Sequence, residues 1–337
     1  MKRAIIALFK CLPVPVGASL DDARSGARLP KPGAHKARPY GFRPFPILAA
    51  LLALAFASSA HAWWDNNWTL RKQLTVETSA ADAQPVTDAP VLVRLHISNF
   101  NFGAAREDGA DLRFIAADDQ TPLTYHISQY DSLLGEAFAW VKVPAVKPDE
   151  SAKFWLYYGN PVASPASDAK ATYDDATSLV YHFGERGQPA RDWSGHENHA
   201  TTAGVPVEGS LIGIGVLFDG TRTITIPTSE SLNHPAGAAL TWSAWIRPAI
   251  LPANAVIYSR RDGANTALLI GLDKGVPFVE VTAAGQTRRT PASTPLAAGV
   301  WQHLSVVADG SQITLYVGGE SRATLAAALP GVIPRRV

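Results

Sequence analysis

Between Arg191 and Thr202 the chain reads RDWSGHENHATT. Asp192, His196, Glu197 and His199 fall within eight residues, and all four side-chain types can bind metals. A zinc-hydrolase helix needs two His four residues apart on one face. Here His196 and His199 are three apart, and Gly195 and Asn198, both poor helix formers, break the stretch. The alternative is a polar turn in which Asp192 and Asn198 bond local backbone groups.

Other catalytic arrangements are missing from the sequence. It has no G-x-S-x-G nucleophile elbow, no Walker loop and no G-x-G-x-x-G opening a helix. The acidic pairs Asp118-Asp119 and Asp174-Asp175 fall at turns, where adjacent side chains diverge. No catalytic residue is assigned, and the expectation is a protein that is not an enzyme. The aromatic residues point instead to binding. All nine Trp follow residue 62. Trp63, Trp64 and Trp68 cluster beside Asn66 and Asn67, and flat indoles next to amides suit stacking on a sugar ring. Trp193, in the Asp192 loop, is read as the more exposed candidate for the same role. The competing expectation is that Trp63, Trp64 and Trp68 staple a strand to its sheet.

The elements that must position these residues read as strands. PVLVRLHI (residues 90–97) puts Val91, Val93, Leu95 and Ile97 on one face, a period of two. AFAWVKVP and KFWLYYGN, then SLVYHF, GVLF, TITI, LTWSAWIR, ALLIGL, VPFVEV, WQHLSVVA and ITLYV continue the rhythm, separated by Gly-containing turns. Short helical turns, as around Ala323 to Ala328, are compatible with the pattern. The segment 160–172, rich in Pro and small residues, reads as a linker. The predicted fold is all-β, with two β-sandwich domains at 63–172 and 173–337.

Charge and hydropathy add a presequence. Residues 1–62 carry nine Lys/Arg against two Asp, and the remainder carries 21 Lys/Arg against 27 Asp/Glu. A basic stretch around residues 35–45 precedes the apolar run 47–57 and then the small residues Ala60 and Ala62. This predicts a signal peptide cleaved after Ala62, and an exported, periplasmic or extracellular product. The apolar run is shorter than the roughly 20 residues that span a bilayer, so no transmembrane segment is expected in the chain as given. The mildly acidic main body argues against nucleic acid as a partner. The single Cys, Cys11, lies in the presequence, which leaves the exported part without disulfides.

The second half resembles the concanavalin A-like, laminin-G-like jelly-roll family. The resemblance rests on SLVYHFGE (178–185), DWSGHENHA (192–200), GIGVLFDG (213–220), LTWSAWIRP (240–248) and WQHLSVVADGSQITLYVGG (301–319). It implies a jelly roll and lectin-like recognition of a glycan or cell-envelope component through its loops. Related jelly rolls often hold calcium near such loops, so Asp192, Asn198 and Asp219 are the expected oxygen donors if Ca2+ binds. Glucanases of the same broad fold carry an E-x-D-x-E strand, which is not found here. The family's Asp before its turn glycine is replaced by Gly318, and no strand of I-D-E-hydrophobic character precedes Val337. The resemblance therefore implies a jelly roll lacking its last strand. The first half is similar to an uncharacterised bacterial domain of unknown function, through WWDNNW (63–68), DGADLRF (108–114), LTYHISQYD (123–131), AWVKVP (139–144) and YYGN (157–160). This pair of domains often precedes a TolQ/ExbB-type proton-channel domain. The alternative expectation is therefore a periplasmic sensor that regulates such an assembly by contact with envelope proteins.

Overall fold

A computed structural model describes residues 63–77, 85–148, 150–263 and 265–331. The expected signal peptide, Cys11 and the final residues after Gly331 lie outside the described residues. The fold is all-β. Its one α-helix among the described residues, α1 (Ala169–Thr172), is a single turn capped by the Asp168 side chain.

The first sandwich comprises β1 (Leu70–Val76), β2 (Val86–His96), β3 (Arg113–Ala116), β4 (Tyr125–Asp131), β5 (Glu136–Val146) and β6 (Ala152–Tyr158). One antiparallel sheet has the order β1-β6-β3 and the other β2-β5-β4. Alternation decides what meets in the middle. Val91, Val93 and Leu95 from β2 and Ala137, Ala139, Val141 and Val143 from β5 face Phe114, Phe154 and Leu156 across one apolar core. Small residues on β5 leave room for the large aromatics opposite. Ile97 departs from the expected period: β2 stops at His96 and Ile97 is 79% exposed. Asn99 ends the strand, because its Oδ1 accepts from the His96 amide and its Nδ2 donates to the Arg94 carbonyl.

The second sandwich comprises β9 (Leu240–Ile246), β10 (Ala255–Asp262), β11 (Thr266–Asp273), β12 (Val276–Ala283), β13 (Gln286–Arg289), β14 (Gln302–Ala308), β15 (Ile313–Val317) and β16 (Glu320–Leu325). Its sheets run β10-β11-β12-β13 and β16-β15-β14-β9. Leu268, Ile270, Val279 and Val281 pack against Leu304, Val306, Ile313 and Leu315. Ala323 to Leu325, compatible by sequence with a helical turn, belong to β16 instead. Pairing with β15 across Ile313–Leu325 satisfies their backbone, which local propensity could not foresee.

Along the chain between the two sandwiches come β7 (Val205–Val207) and β8 (Gly215–Leu217), a two-stranded ribbon. Two expected strands are missing here. Ser178–Phe183 makes only the isolated bridge Tyr181–Asp192, and Thr223–Ile226 lies outside any strand. Phe183 and Arg186 both take positive φ, at 58° and 45°, which bends the chain out of an extended path.

Residues from this connecting stretch lie on the outer face of sheet β2-β5-β4. Leu92, Phe138 and Trp140 form an apolar patch there, and Ile212 packs on it. Gly213, at φ 60°, brings backbone so close that a Cβ would meet the Phe138 ring at 2.9 Å. Gly213→Ala combines a left-handed backbone with that clash and is expected to cost about 2 kcal/mol. Urea denaturation of the two proteins checks this.

Candidate functional site

Two sites collect the residues that the sequence singles out. The first is the Asp192 loop. The Asp192 carboxylate is buried, and four internal donors surround it. Oδ1 accepts from the Val180 and Ser194 amides at 2.9 Å each. Oδ2 accepts from Ser194 Oγ at 2.7 Å and from the Asn198 amide at 2.9 Å. The Asn198 side chain donates to the Ser178 carbonyl and to Ser231 Oγ. This is the polar turn among the readings of the loop: a buried carboxylate organising a bend.

His196 and His199 do not converge on a common point. His196 Nε2 contacts the Asp175 carbonyl, and His199 Nδ1 accepts from the Asp192 amide. Glu197 reaches outward to Lys170 at 2.6 Å. Asp219 sits on an exposed turn and accepts from the Thr221 amide and hydroxyl. Asp192, Asn198 and Asp219 thus do not fit a calcium ion, which would have to displace the four donors on Asp192. Among the described residues no group of three or more His, Cys, Asp or Glu could hold a metal.

Trp193 corrects an expectation. It is only partly exposed, and its ring is stacked on His126 at 5.1 Å. The Arg191 guanidinium lies 4.8 Å from its ring centre. Its indole is committed to internal contacts, because the loop folds back on the first sandwich.

The second site is the outer face of sheet β1-β6-β3. Register places Arg71 beside Tyr157, Gln73 beside Trp155 and Thr75 beside Lys153. The three clustered tryptophans divide their roles above this face. Trp68 is buried and anchors the chain by donating from Nε1 to the Asp111 carbonyl at 2.6 Å. Trp64 packs on Trp68 at 5.0 Å and on Tyr157 at 5.8 Å. Trp63 stays 37% exposed. Trp68 and Trp64 thus pack against the sheet, as the strand-stapling expectation has it, and Trp63 is the most exposed of the three.

Arg71 links this exposed indole to another that sequence reasoning missed. Its guanidinium lies 4.9 Å from the Trp63 ring centre and 4.3 Å from that of Trp155. It also donates to Asp119 and, at 3.0 Å, to the Tyr157 hydroxyl. Tyr157 in turn donates to Asp119 at 2.6 Å. Asp119, at the Asp118-Asp119 turn, is therefore the buried anchor of the cation. The outcome is a pre-formed row of Trp63, Arg71 and Trp155 with Gln73 and Lys153 exposed beside it.

Asp111, in the cleft beside Gly103–Asp108, is also structural. It accepts from the Arg106, Gly159 and Asn160 amides. Arg106 forks onto neighbouring Asp108 and, with the Ala110 amide, holds its carboxyl down at about 2.

Fold and surface together define an all-β protein of two sandwiches with an aromatic, cationic sheet face. Residues 108–194 match the model of a domain of unknown function (DUF2341), and residues 218–334 match that of the concanavalin A-like lectin/glucanases superfamily. The first match ends at Ser194, so it includes His182, Asp192 and Trp193 but not Asn198, Ile212 or Gly213. No curated protein matches the chain. Among solved structures, an S-layer domain-containing protein from Clostridium thermocellum ATCC 27405 (residues 221-444) is similar with a TM-score of 0.28 and 21% identity, over 44% of this chain and 72% of that one. Domains LG4-5 of the mouse laminin alpha1 chain are similar with a TM-score of 0.25 and 12% identity, over 77% of each chain. No described helix is long and apolar enough to cross a membrane, which says nothing of a β-barrel.

Proposed function

We propose that this chain is an exported, non-catalytic recognition protein that binds a glycan of the cell envelope. The observation that carries the reading is the Trp63–Arg71–Trp155 row. Its planar groups are held in place before any ligand arrives, so little side-chain entropy is lost on binding. Gln73 and Lys153 stand beside it to bond hydroxyl or carboxylate groups of a sugar. The match of residues 218–334 to the lectin/glucanase superfamily lies outside this row and supports a sugar-binding role for the second sandwich.

Glycan-array binding followed by titration calorimetry on the purified chain tests the reading. Trp63→Ala and Trp155→Ala are each expected to weaken binding by about 1.5 kcal/mol, roughly tenfold. Trp193→Ala is expected to leave affinity unchanged, because that indole faces inward. Silence across the array, or full affinity in the Trp63→Ala/Trp155→Ala double variant, would end the proposal.

A further inference from the structure

The contact between the first sandwich and the connecting stretch contains two imidazoles that no binding role uses. His126 projects from the outer face of β4 beside Trp140 of β5 and is fully buried. His182 comes from the connecting stretch and stacks on Trp140, with ring centres 4.9 Å apart and planes 14° from parallel. Trp193 stacks on His126 from the same stretch.

The two Nε2 atoms are 3.0 Å apart, the ring centres are 5.3 Å apart, and the planes differ by 24°. Two ring radii plus the nitrogen contact account for that separation, so the nitrogens point at each other along one line. A metal on that line would need about 4 Å between them. The arrangement is instead a hydrogen bond between two neutral rings, one donating and the other accepting. His126 Nδ1 is buried without a partner. Making His126 the donor leaves a lone pair there rather than an orphaned N–H, the less costly choice.

We propose that the His126–His182 pair is an acid-sensitive latch that holds residues 173–217 against the outer face of the first sandwich. A proton on His182 Nε2 removes the acceptor, and the bond can re-form in the other direction only by moving the His126 proton to its partnerless, buried Nδ1. A proton on His126 Nδ1 buries a charged donor with no partner. The surrounding groups do not relieve either charge. Arg191, over Trp193, is of the wrong sign. Tyr173 offers its hydroxyl 3.4 Å from His182 Nε2, and burial and the Asp192 charge keep it protonated. Lys142, next along the face from Trp140, donates to the Ala171 carbonyl.

Burial, with a smaller push from Arg191, holds His126 down at about 3, and burial, then His126, pushes His182 well below its ordinary value. Both values are depressed in the closed state. Closure is therefore at full strength above about pH 6.5, the value of a free imidazole, and weakens as pH falls toward 3. At pH 4.5, two units below the free value, His126 alone shifts the opening equilibrium about 100-fold. Opening would uncover Leu92, Phe138 and Trp140.

Hydrogen exchange on the full chain, corrected for intrinsic rates, tests the latch between pH 7.5 and 4.5. Peptides from 125–141 and 173–200 are expected to lose protection about 100-fold or more, while 266–283 in the second sandwich keeps theirs. A His126→Phe/His182→Leu double variant, apolar at both positions, is expected to hold its protection at pH 4.5. Nitrogen-15 spectra of histidine-labelled wild type decide the matter even where that variant does not fold. The two rings are expected to titrate well below 6.5, in the same step as the loss of protection. Rings that titrate near 6.5, protection that persists at pH 4.5, or equal loss in the double variant would overturn the proposal.

Discussion

Arg71→Ala is expected to lower the stability of the first sandwich by about 3 kcal/mol, an effect large for a side chain at a sheet surface. The cost arises at Asp119 rather than at Arg71. Asp119 is 4% exposed, and Arg71 is its cationic partner. With the guanidinium gone, a carboxylate stays buried with only the Tyr157 hydroxyl to bond it. Trp63 and Trp155 lose the cation between them at the same time. Arg71→Lys keeps the charge but not the planar fork, so it should recover only part of the loss. The Arg71→Ala/Asp119→Ala double variant should be more stable than Arg71→Ala alone, because it removes the orphaned charge. Guanidinium unfolding of the three variants, read against wild type, provides the measurement. Equal stability of Arg71→Ala and wild type would mean that the aromatic row is held by packing alone.

Asp192→Ala is expected to cost a similar amount, about 3 kcal/mol, and to loosen residues 178–200 as a unit. The substitution strands the Val180, Ser194 and Asn198 amides, all of which point at one carboxylate. Each unmet buried donor costs about 1–3 kcal/mol, and relaxation toward water recovers some of it. Asp192→Asn retains an acceptor oxygen but presents an amide where a second oxygen stood, so it should fall between. The chelator EDTA should leave the melting temperature of wild type unchanged, because the four donors on Asp192 take the positions a cation would need. A calcium-dependent rise in melting temperature, abolished by Asp192→Ala, would assign the loop to a metal after all.

Much of the architecture is legible in the residue order. The alternation of Val91, Val93 and Leu95, the aromatic strand around Lys153 and the Gly-containing turns all report local preferences that the tertiary structure keeps. Strands failed where the local signal was contradicted from elsewhere. SLVYHF has the composition of a strand, but Asp192 claims the Val180 amide and Phe183 turns left-handed. Ala323–Leu325 has helical composition, but β15 offers an open edge.

The candidate sites divide in the same way. Sequence by itself determined the all-β pattern, the cluster of Trp63, Trp64 and Trp68, and the absence of the four-residue His spacing of a zinc-hydrolase helix at His196 and His199. Each follows from neighbours along the chain. Only the tertiary structure decided that Trp155 joins Trp63 through Arg71, that Trp193 faces inward, and that His126 meets His182 across 56 residues. Those partners are set by strand register and by which sheet face a returning segment covers. Register depends on pairing energies summed over distant strands, and no short stretch of sequence contains that sum.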